Sequence, residues 1–175
     1  AGSVVATISR NGDLVGRTYI VMKTLDGSGV NPGAELITSV ELEIGGQRID
    51  KHYGHWLDVW NELTDHDGQE RTLLNKHSAK NSYLRSHTNA TLNDLQLYVP
   101  LKFWFNRNPG LALPLIALQY HEVKVKIAFT SALVTSGATS LFVDYIYLDT
   151  DERRRFAQQS HEYLIEQVQH QNTSD

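Results

Sequence analysis

Residues 97–129 constrain the fold most strongly, because they contain two long apolar segments separated by one turn cluster. The cluster is residues 106–110, where Pro109 presets φ and Gly110 supplies a conformation that other residues avoid. On both sides of it, apolar residues alternate with other residues, as in strands that bury one face. The pattern predicts a β-hairpin with one face in a core and the other facing water or a partner.

The same alternation predicts further strands before and after this hairpin. The predicted strands are residues 4–10, 14–25, 36–44, 47–53 and 141–149, with a less regular candidate at 161–169. Asn11-Gly12-Asp13 predicts a hairpin turn between the first two strands, and Gly45-Gly46 predicts another between the third and fourth. This spacing of strands and turns favours an all-β fold of two packed antiparallel sheets.

Residues 55–63 interrupt the strand pattern with an apolar spacing of three and four, which indicates a short amphipathic helix packed on the sheets. The residues of this stripe are Trp56, Val59, Trp60 and Leu63. Residues 64–94 are polar and unusually long for a connection, so they predict a surface loop with its own role. Shorter loops are predicted at 26–34 and 131–140, and residues 151–155 are interpreted as a charge-balanced linker.

Composition narrows the function classes. The 175 residues suit one domain, and the absence of cysteine excludes disulfides, thiolate metal sites and a cysteine nucleophile. The net charge is −4 with acids and bases interspersed, which argues against direct nucleic-acid binding. The longest apolar run, residues 111–118, is far shorter than the roughly 20 residues that a membrane span requires.

No catalytic, cofactor or metal site is predicted. His52, His55 and Asp58 are spaced so that they could share a metal, but a helix entry with solvated imidazoles is the favoured interpretation. Glu41 and Glu43 lie on one face of a strand, as in a glycosidase pair, but a solvated face explains them better. Asn89 and Asn172 begin glycosylation triplets and are candidate modification sites, although unmodified surface asparagine is the commoner outcome.

Five long blocks cover most of the chain. They are ISRNGDL, VELEIGGQRIDKHYGHW, YVPLKFWFNRNPGLALPLIALQYHEVK, VDYIYLDTDERRRFAQ and HEYLIEQVQ. In this order they resemble the major capsid proteins of the nucleocytoplasmic large DNA viruses, of the chlorella-virus and iridovirus type. The resemblance implies a double jelly roll, two eight-stranded sandwiches in tandem. It also implies a homotrimer that tiles an icosahedral shell over an inner membrane that it does not span.

What the resemblance implies for this chain is a structural virion protein without enzymatic activity, assembled in the host cytoplasm with other capsid proteins. The fold expected is an eight-stranded antiparallel jelly-roll β-sandwich with one short helix and a long polar loop. Residues 1–149 match the first jelly roll without its first strand. Residues 150–175 match a linker and a strand that either completes the sheet or opens a second jelly roll. The chain is therefore either a fragment of a longer capsid protein or a self-sufficient single jelly roll.

Two further expectations concern contacts. A missing first strand would leave the strand at 141–149 with an open edge, and we expect residues 161–169 to pair with it, in their own subunit or in a neighbour. Trp104, Asn106 and Arg107 near the predicted turn are candidate subunit contacts, with core support or a solvated turn as alternatives. Alternation places Trp104 on the opposite face from Phe103 and Phe105.

Two other functions stay open on the sequence alone. The tryptophans of this chain could line a sugar-binding surface by ring stacking, which would make it a carbohydrate-binding module for virion attachment. A jelly-roll enzyme would require a bound metal ion.

Overall fold

The computed structural model describes residues 2–24, 32–64, 95–130 and 139–171. The predicted loop at 64–94 lies outside the described residues apart from its first residue, as do most of the loops at 26–34 and 131–140. The two candidate glycosylation sites, Asn89 and Asn172, also lie outside them.

Eight strands and four helices form within the described residues. The strands are β1 (Ser3–Thr7), β2 (Leu14–Thr24), β3 (Ile37–Ile44), β4 (Gln47–Tyr53), β5 (Leu95–Pro100), β6 (Leu113–Pro114), β7 (Val123–Phe129) and β8 (Ser140–Ile146). The helices are α1 (Pro32–Glu35), α2 (Gly54–Thr64), α3 (Trp104–Arg107) and α4 (Thr150–Gln158), and Pro109–Leu111 forms a 3-10 turn. No described helix has the length and apolar character needed to cross a membrane.

The strands form two sheets in which every pairing is antiparallel. The first sheet has the order β1-β7-β3-β4. In the second sheet, β2 is central, with β8 on one side and both β5 and β6 on the other, because β8 shares partners on β2 with each of them. The expected class, an all-β antiparallel fold, is confirmed.

The core lies between the two sheets. On β7 the residues Val123, Val125, Ile127 and Phe129 are buried, as the alternation predicts, while the lysines between them are half-buried. The largest fully buried side chains come from both sheets, from α2 and from the segment after β5. They are Phe103, Phe105, Ile20, Met22, Leu42, Leu57, Leu101, Val15, Val40, Val99 and Val125. Each such side chain contributes about 1.5–3 kcal/mol through its burial.

The hairpin predicted for residues 97–129 is wrong. β5 belongs to the second sheet and β7 to the first, so the chain crosses between the sheets instead of turning back within one. Phe103, Trp104 and Phe105 are all buried in the crossing, which explains why the alternation does not continue there. The placement of Trp104 on the opposite face from its neighbours is therefore wrong too. Asn108 orders the 3-10 turn by accepting a 2.8 Å hydrogen bond from the Gly110 amide.

The hairpin predicted at Asn11-Gly12-Asp13 is also wrong, because β1 lies in the first sheet and β2 in the second. Gly12 is needed for close packing, since a Cβ at this position would lie 2.7 Å from the Cβ of Tyr145. By contrast, the Gly45-Gly46 turn joins β3 to β4 as predicted, with φ values of 59° and 85° that favour glycine.

Helix α2 forms as predicted but buries a different side. Leu57 and Asn61 are buried, whereas Leu63 is 72% exposed and Trp56 and Trp60 are half-buried. The helix therefore packs on the sandwich through a line one residue away from the predicted apolar stripe, and much of that stripe stays accessible.

The region after β8 differs from the prediction in two ways. Residues 151–155 are not a linker but part of α4, whose first turn is capped by the Asp149 carboxylate accepting a 2.8 Å hydrogen bond from the Glu152 amide. Residues 160–171 contain no strand and lie beside β4, so the predicted pairing of 161–169 with β8 does not occur within this chain. Pairing with a neighbouring copy stays a prediction.

Candidate assembly surfaces

Trp104 and Asn106, two of the three candidate subunit contacts, lie in the interior of the described structure. Trp104 is 3% exposed and meets the ring of Phe105 edge-on, with centroids 5.2 Å apart and an interplanar angle of 83°. This geometry is a favourable aromatic contact in a core. Trp104 therefore supports α3 from inside, and its ring is not available to stack on a sugar.

Asn106 ties α3 to the second sheet. Its amide nitrogen donates to the Gly16 carbonyl at 2.8 Å and to the Thr18 hydroxyl at 3.1 Å. Its side-chain oxygen accepts from the Phe103 amide at 3.2 Å. Since all four residues are buried, these hydrogen bonds satisfy polar groups that water does not reach.

Arg107 reaches the surface and connects three elements. Its guanidinium lies 4.8 Å above the ring centre of Trp60 in α2. It also forms an ion pair with the Glu166 carboxylate at 3.4 Å and donates to the Glu166 carbonyl at 3.3 Å. A guanidinium that stacks on an aromatic face while pairing with a carboxylate uses both properties that distinguish arginine from lysine.

Two titratable groups of β4 lie close to Arg107. Burial raises the pKa of Asp50, although the Lys51 amide, which donates to its carboxylate at 2.7 Å, and the charge of Arg107 act in the opposite direction. Burial lowers the pKa of His52 to about 3, with smaller contributions from Arg107 and Lys102. His52 is therefore neutral at physiological pH.

His52 is buried against Phe103, with ring centroids 4.4 Å apart, and its Nε2 has no hydrogen-bond partner in the described part of the chain. The favoured interpretation of a solvated imidazole is thus wrong for this residue, whereas His55 is exposed. Among residues 2–24, 32–64, 95–130 and 139–171, no group of three potential ligands is arranged to hold a metal ion.

The outer face of the first sheet carries paired charges. Glu41 forms an ion pair with Lys51 at 2.9 Å, and the hydrogen bond from Lys51 lowers the pKa of Glu41. Glu43 pairs with Lys126 on β7. Each carboxylate is thus held by a lysine, which favours a charged outer face over the glycosidase interpretation.

One flank of the sandwich exposes apolar residues and strand edges. Among the described strands, β1 is at the edge of the first sheet and β8 is at the edge of the second. The Tyr145 hydroxyl donates to the Ser9 carbonyl at 2.6 Å, which links the two edges. On this flank Val4 is 46% exposed and Phe142 is 57% exposed. Val4 pairs with the buried Ile127, so its side chain lies on the core-facing side of the sheet and is nevertheless uncovered.

The sequence predicts the open edge of the strand at 141–149, but this prediction alone does not identify Val4 and Phe142 as the residues exposed on this flank. The alternation along β8 does indicate that Phe142 is exposed, because Phe142 lies on the same face as Asp144. The other face packs against the core through Leu141, Val143 and Tyr145. The position of Glu166 beside Arg107 carried no sequence signal, since the two residues are 59 positions apart.

Comparisons with known proteins all find similarity to viral major capsid proteins. A family described as "Major capsid protein N-terminus" matches residues 1–160. The major capsid protein of Pyramimonas orientalis virus is 52% identical over 182 residues, covering 95% of this chain and 45% of that protein. The major capsid protein of Paramecium bursaria Chlorella virus 1 is 45% identical over 193 residues, covering 96% of this chain and 41% of that protein.

The described fold also matches a solved structure. A chain in the quasi-atomic model of the PBCV-1 virus capsid superimposes with a TM-score of 0.75 at 43% identity, over 96% of this chain and 43% of that chain. The present chain therefore spans less than half the length of these relatives.

Proposed function

Because this chain belongs to the major capsid protein family, matched through that family's N-terminal region, we propose that it is a structural building block of a viral capsid. In this role it occupies the virion shell, associates with copies of itself and with other capsid proteins, and carries out no catalysis. Assembly takes place in the host cytoplasm. The product is a homotrimer that tiles an icosahedral lattice above an inner membrane, without direct contact with nucleic acid.

The observation that carries this proposal is the likeness to the PBCV-1 capsid chain over 96% of the present chain. Two sheets joined by a continuous apolar core form a rigid domain, as a structural protein of a shell requires. The paired charges on the outer face of the first sheet, such as Glu41 with Lys51, suit a surface that stays hydrated.

We propose that residues 1–149 are a jelly roll that lacks the family's first strand. In support, the first sheet is four described strands wide, whereas the described strands of the second sheet make it three wide, with β8, β2 and the β5/β6 pair. A strand added beside β8 would lie over the uncovered Val4 and would pair with the open backbone edge of β8. We propose that residues 150–175 are a segment distinct from this jelly roll, and its described part begins with α4 and continues beside β4.

We propose that all three candidate residues contribute to subunit contacts, two of them indirectly and one directly. Trp104 and Asn106 contribute by fixing α3 from the interior. Arg107, whose side chain is 18% exposed, is the member of the set that can meet a neighbour directly.

The test is electron microscopy of the purified chain at increasing protein concentration. We expect particles with three-fold symmetry and sheets of such particles at high concentration. Single copies at every concentration would contradict the proposal.

The alternative function, a carbohydrate-binding module, is not favoured. The comparisons are with capsid proteins, the ring of Trp104 is buried, and one face of Trp60 is covered by Arg107. A glycan array with the same protein separates the two functions, because selective binding of one sugar class would revive the module.

A further inference from the structure

The tail, residues 160–171, crosses the flank of the sandwich opposite the open one. We propose that this tail is a strap that closes the outer edge of β4 and that Arg107 is its main anchor. The proposal goes beyond the proposed function, since it concerns how the tail is held on the sandwich and does not depend on assembly.

The path of the tail is set at its start. After α4, the His161 ring nitrogen lies 2.7 Å from the Phe156 carbonyl, and the two rings stack with centroids 4.9 Å apart. The chain therefore turns at the end of α4 in a defined way, because the ring contact and the polar contact act on the same residue pair.

Arg107 then holds the middle of the tail. It contacts both the side chain and the backbone carbonyl of Glu166, at 3.4 Å and 3.3 Å. Because its guanidinium rests on Trp60 at 4.8 Å, Arg107 is already positioned and loses little conformational freedom when it binds the tail. This prior order makes it a stronger anchor than a flexible surface charge would be.

Two further contacts follow along the same segment. The Gln167 side-chain amide donates to the Ile49 carbonyl on β4, and the His170 ring lies 4.6 Å from the Tyr53 ring at the end of β4. Among the described strands, β4 ends the first sheet, so a backbone carbonyl at its outer edge has no partner in a described strand. The tail thus protects this edge through side-chain contacts, which limits pairing with foreign strands.

The strap also forms one wall of a cleft between itself and α2. The cleft has a volume of about 520 Å³ and includes Trp56, Val59, Val168 and His170 in its lining. Val168 is half-buried there, while Leu164, four residues earlier, is 82% exposed. A docked strap should therefore protect position 168 from a labelling reagent but not position 164, whereas a detached strap should protect neither.

The experiment uses thiol labelling, which is clean because the chain contains no cysteine. Val168→Cys and Leu164→Cys are made separately in the full chain, and their rates of reaction with iodoacetamide are compared. We expect Val168→Cys to react several-fold more slowly. Adding Arg107→Ala should accelerate Val168→Cys about two- to five-fold, the range for losing a partly exposed ion pair, and leave Leu164→Cys unchanged.

Two matched variants separate the strap from general destabilisation. Glu166→Gln should accelerate labelling of Val168→Cys, whereas Glu162→Gln, which removes an exposed carboxylate from the same segment, should not. Arg107→Lys, which keeps the charge without the planar fork, should give an intermediate rate.

Equal rates for Val168→Cys and Leu164→Cys in the otherwise unchanged chain would overturn the proposal. So would equal effects of Glu166→Gln and Glu162→Gln. Labelling reports on the tail in any assembly state, so a chain that fails to form trimers but protects Val168→Cys would contradict the proposed function alone.

Discussion

Replacing Asn106 by alanine should destabilise the fold more than its small size suggests. The substitution removes the three hydrogen bonds to Gly16, Thr18 and Phe103 that join α3 to the second sheet. Thr18 is 2% exposed and Gly16 is also buried, so water cannot readily replace the lost partner. An unsatisfied buried polar group costs about 1–3 kcal/mol, and with partial relaxation of the hydroxyl we expect a loss of about 2–4 kcal/mol.

The assay is equilibrium unfolding in urea, followed by tryptophan fluorescence, with the free energy of unfolding extrapolated to water. Native domains are stable by roughly 5–15 kcal/mol, so the expected loss should shift the midpoint clearly. Asn108→Ala is the matched control, because Asn108 is exposed and makes one hydrogen bond within its own turn. We expect it to cost about 1 kcal/mol or less. Equal losses for the two variants would refute the assigned role of Asn106.

Three further predictions follow from buried or exposed positions. His52, with a pKa of about 3, is neutral in the folded state but takes up a proton in the unfolded chain below about pH 6.5, so it lowers stability as the pH falls through that window. His52→Leu should flatten the dependence of the free energy of unfolding on pH between pH 6.5 and 3, and a slope equal to that of the unchanged chain would contradict this. Gly45→Ala should cost more than the roughly 1–2 kcal/mol of left-handed strain, and more than Gly46→Ala, because only Gly45 has another side chain within 4 Å of the added Cβ; unfolding in urea tests the order. Phe142→Lys on the open edge of β8 should reduce concentration-dependent self-association in sedimentation experiments, whereas Phe142→Leu should not. If both variants associated as strongly as the unchanged chain, the open edge of β8 would have no role in self-association.

The sequence predicts strands well where one face is buried. On β7 the apolar residues Val123, Val125 and Ile127 are separated by lysines, and the alternation identifies both the strand and its buried face. The Gly45-Gly46 turn is predicted equally well, because both residues adopt the positive φ that glycine favours. These features depend on neighbours in the sequence, which is why they can be predicted.

The sequence does not show in the same way which of the two sheets a strand belongs to. Alternation reveals a buried face but not the sheet that contributes it, so β5 and β7 were expected to pair although they lie in opposite sheets. The crossing between them buries Phe103, Trp104 and Phe105 together, and three consecutive buried aromatics fit neither strand nor helix periodicity.

The candidate assembly surfaces were only partly predictable for a related reason. Arg107 is a candidate contact from the sequence because it lies near the predicted turn, but its partners Glu166 and Trp60 are distant in sequence. Helix α4 had a readable start in Asp149, whose carboxylate caps the helix, but the dense charges that follow it favoured a linker. Contacts between distant residues depend on topology, which local patterns do not specify.

The most direct test of the account is the mass of the purified chain in solution, measured by light scattering after size separation. The account predicts a discrete species of about 59 kDa, three copies of the 19.8 kDa chain. A single species at the mass of one chain, unchanged as the concentration rises, would contradict the proposal that this sandwich is a capsid building block.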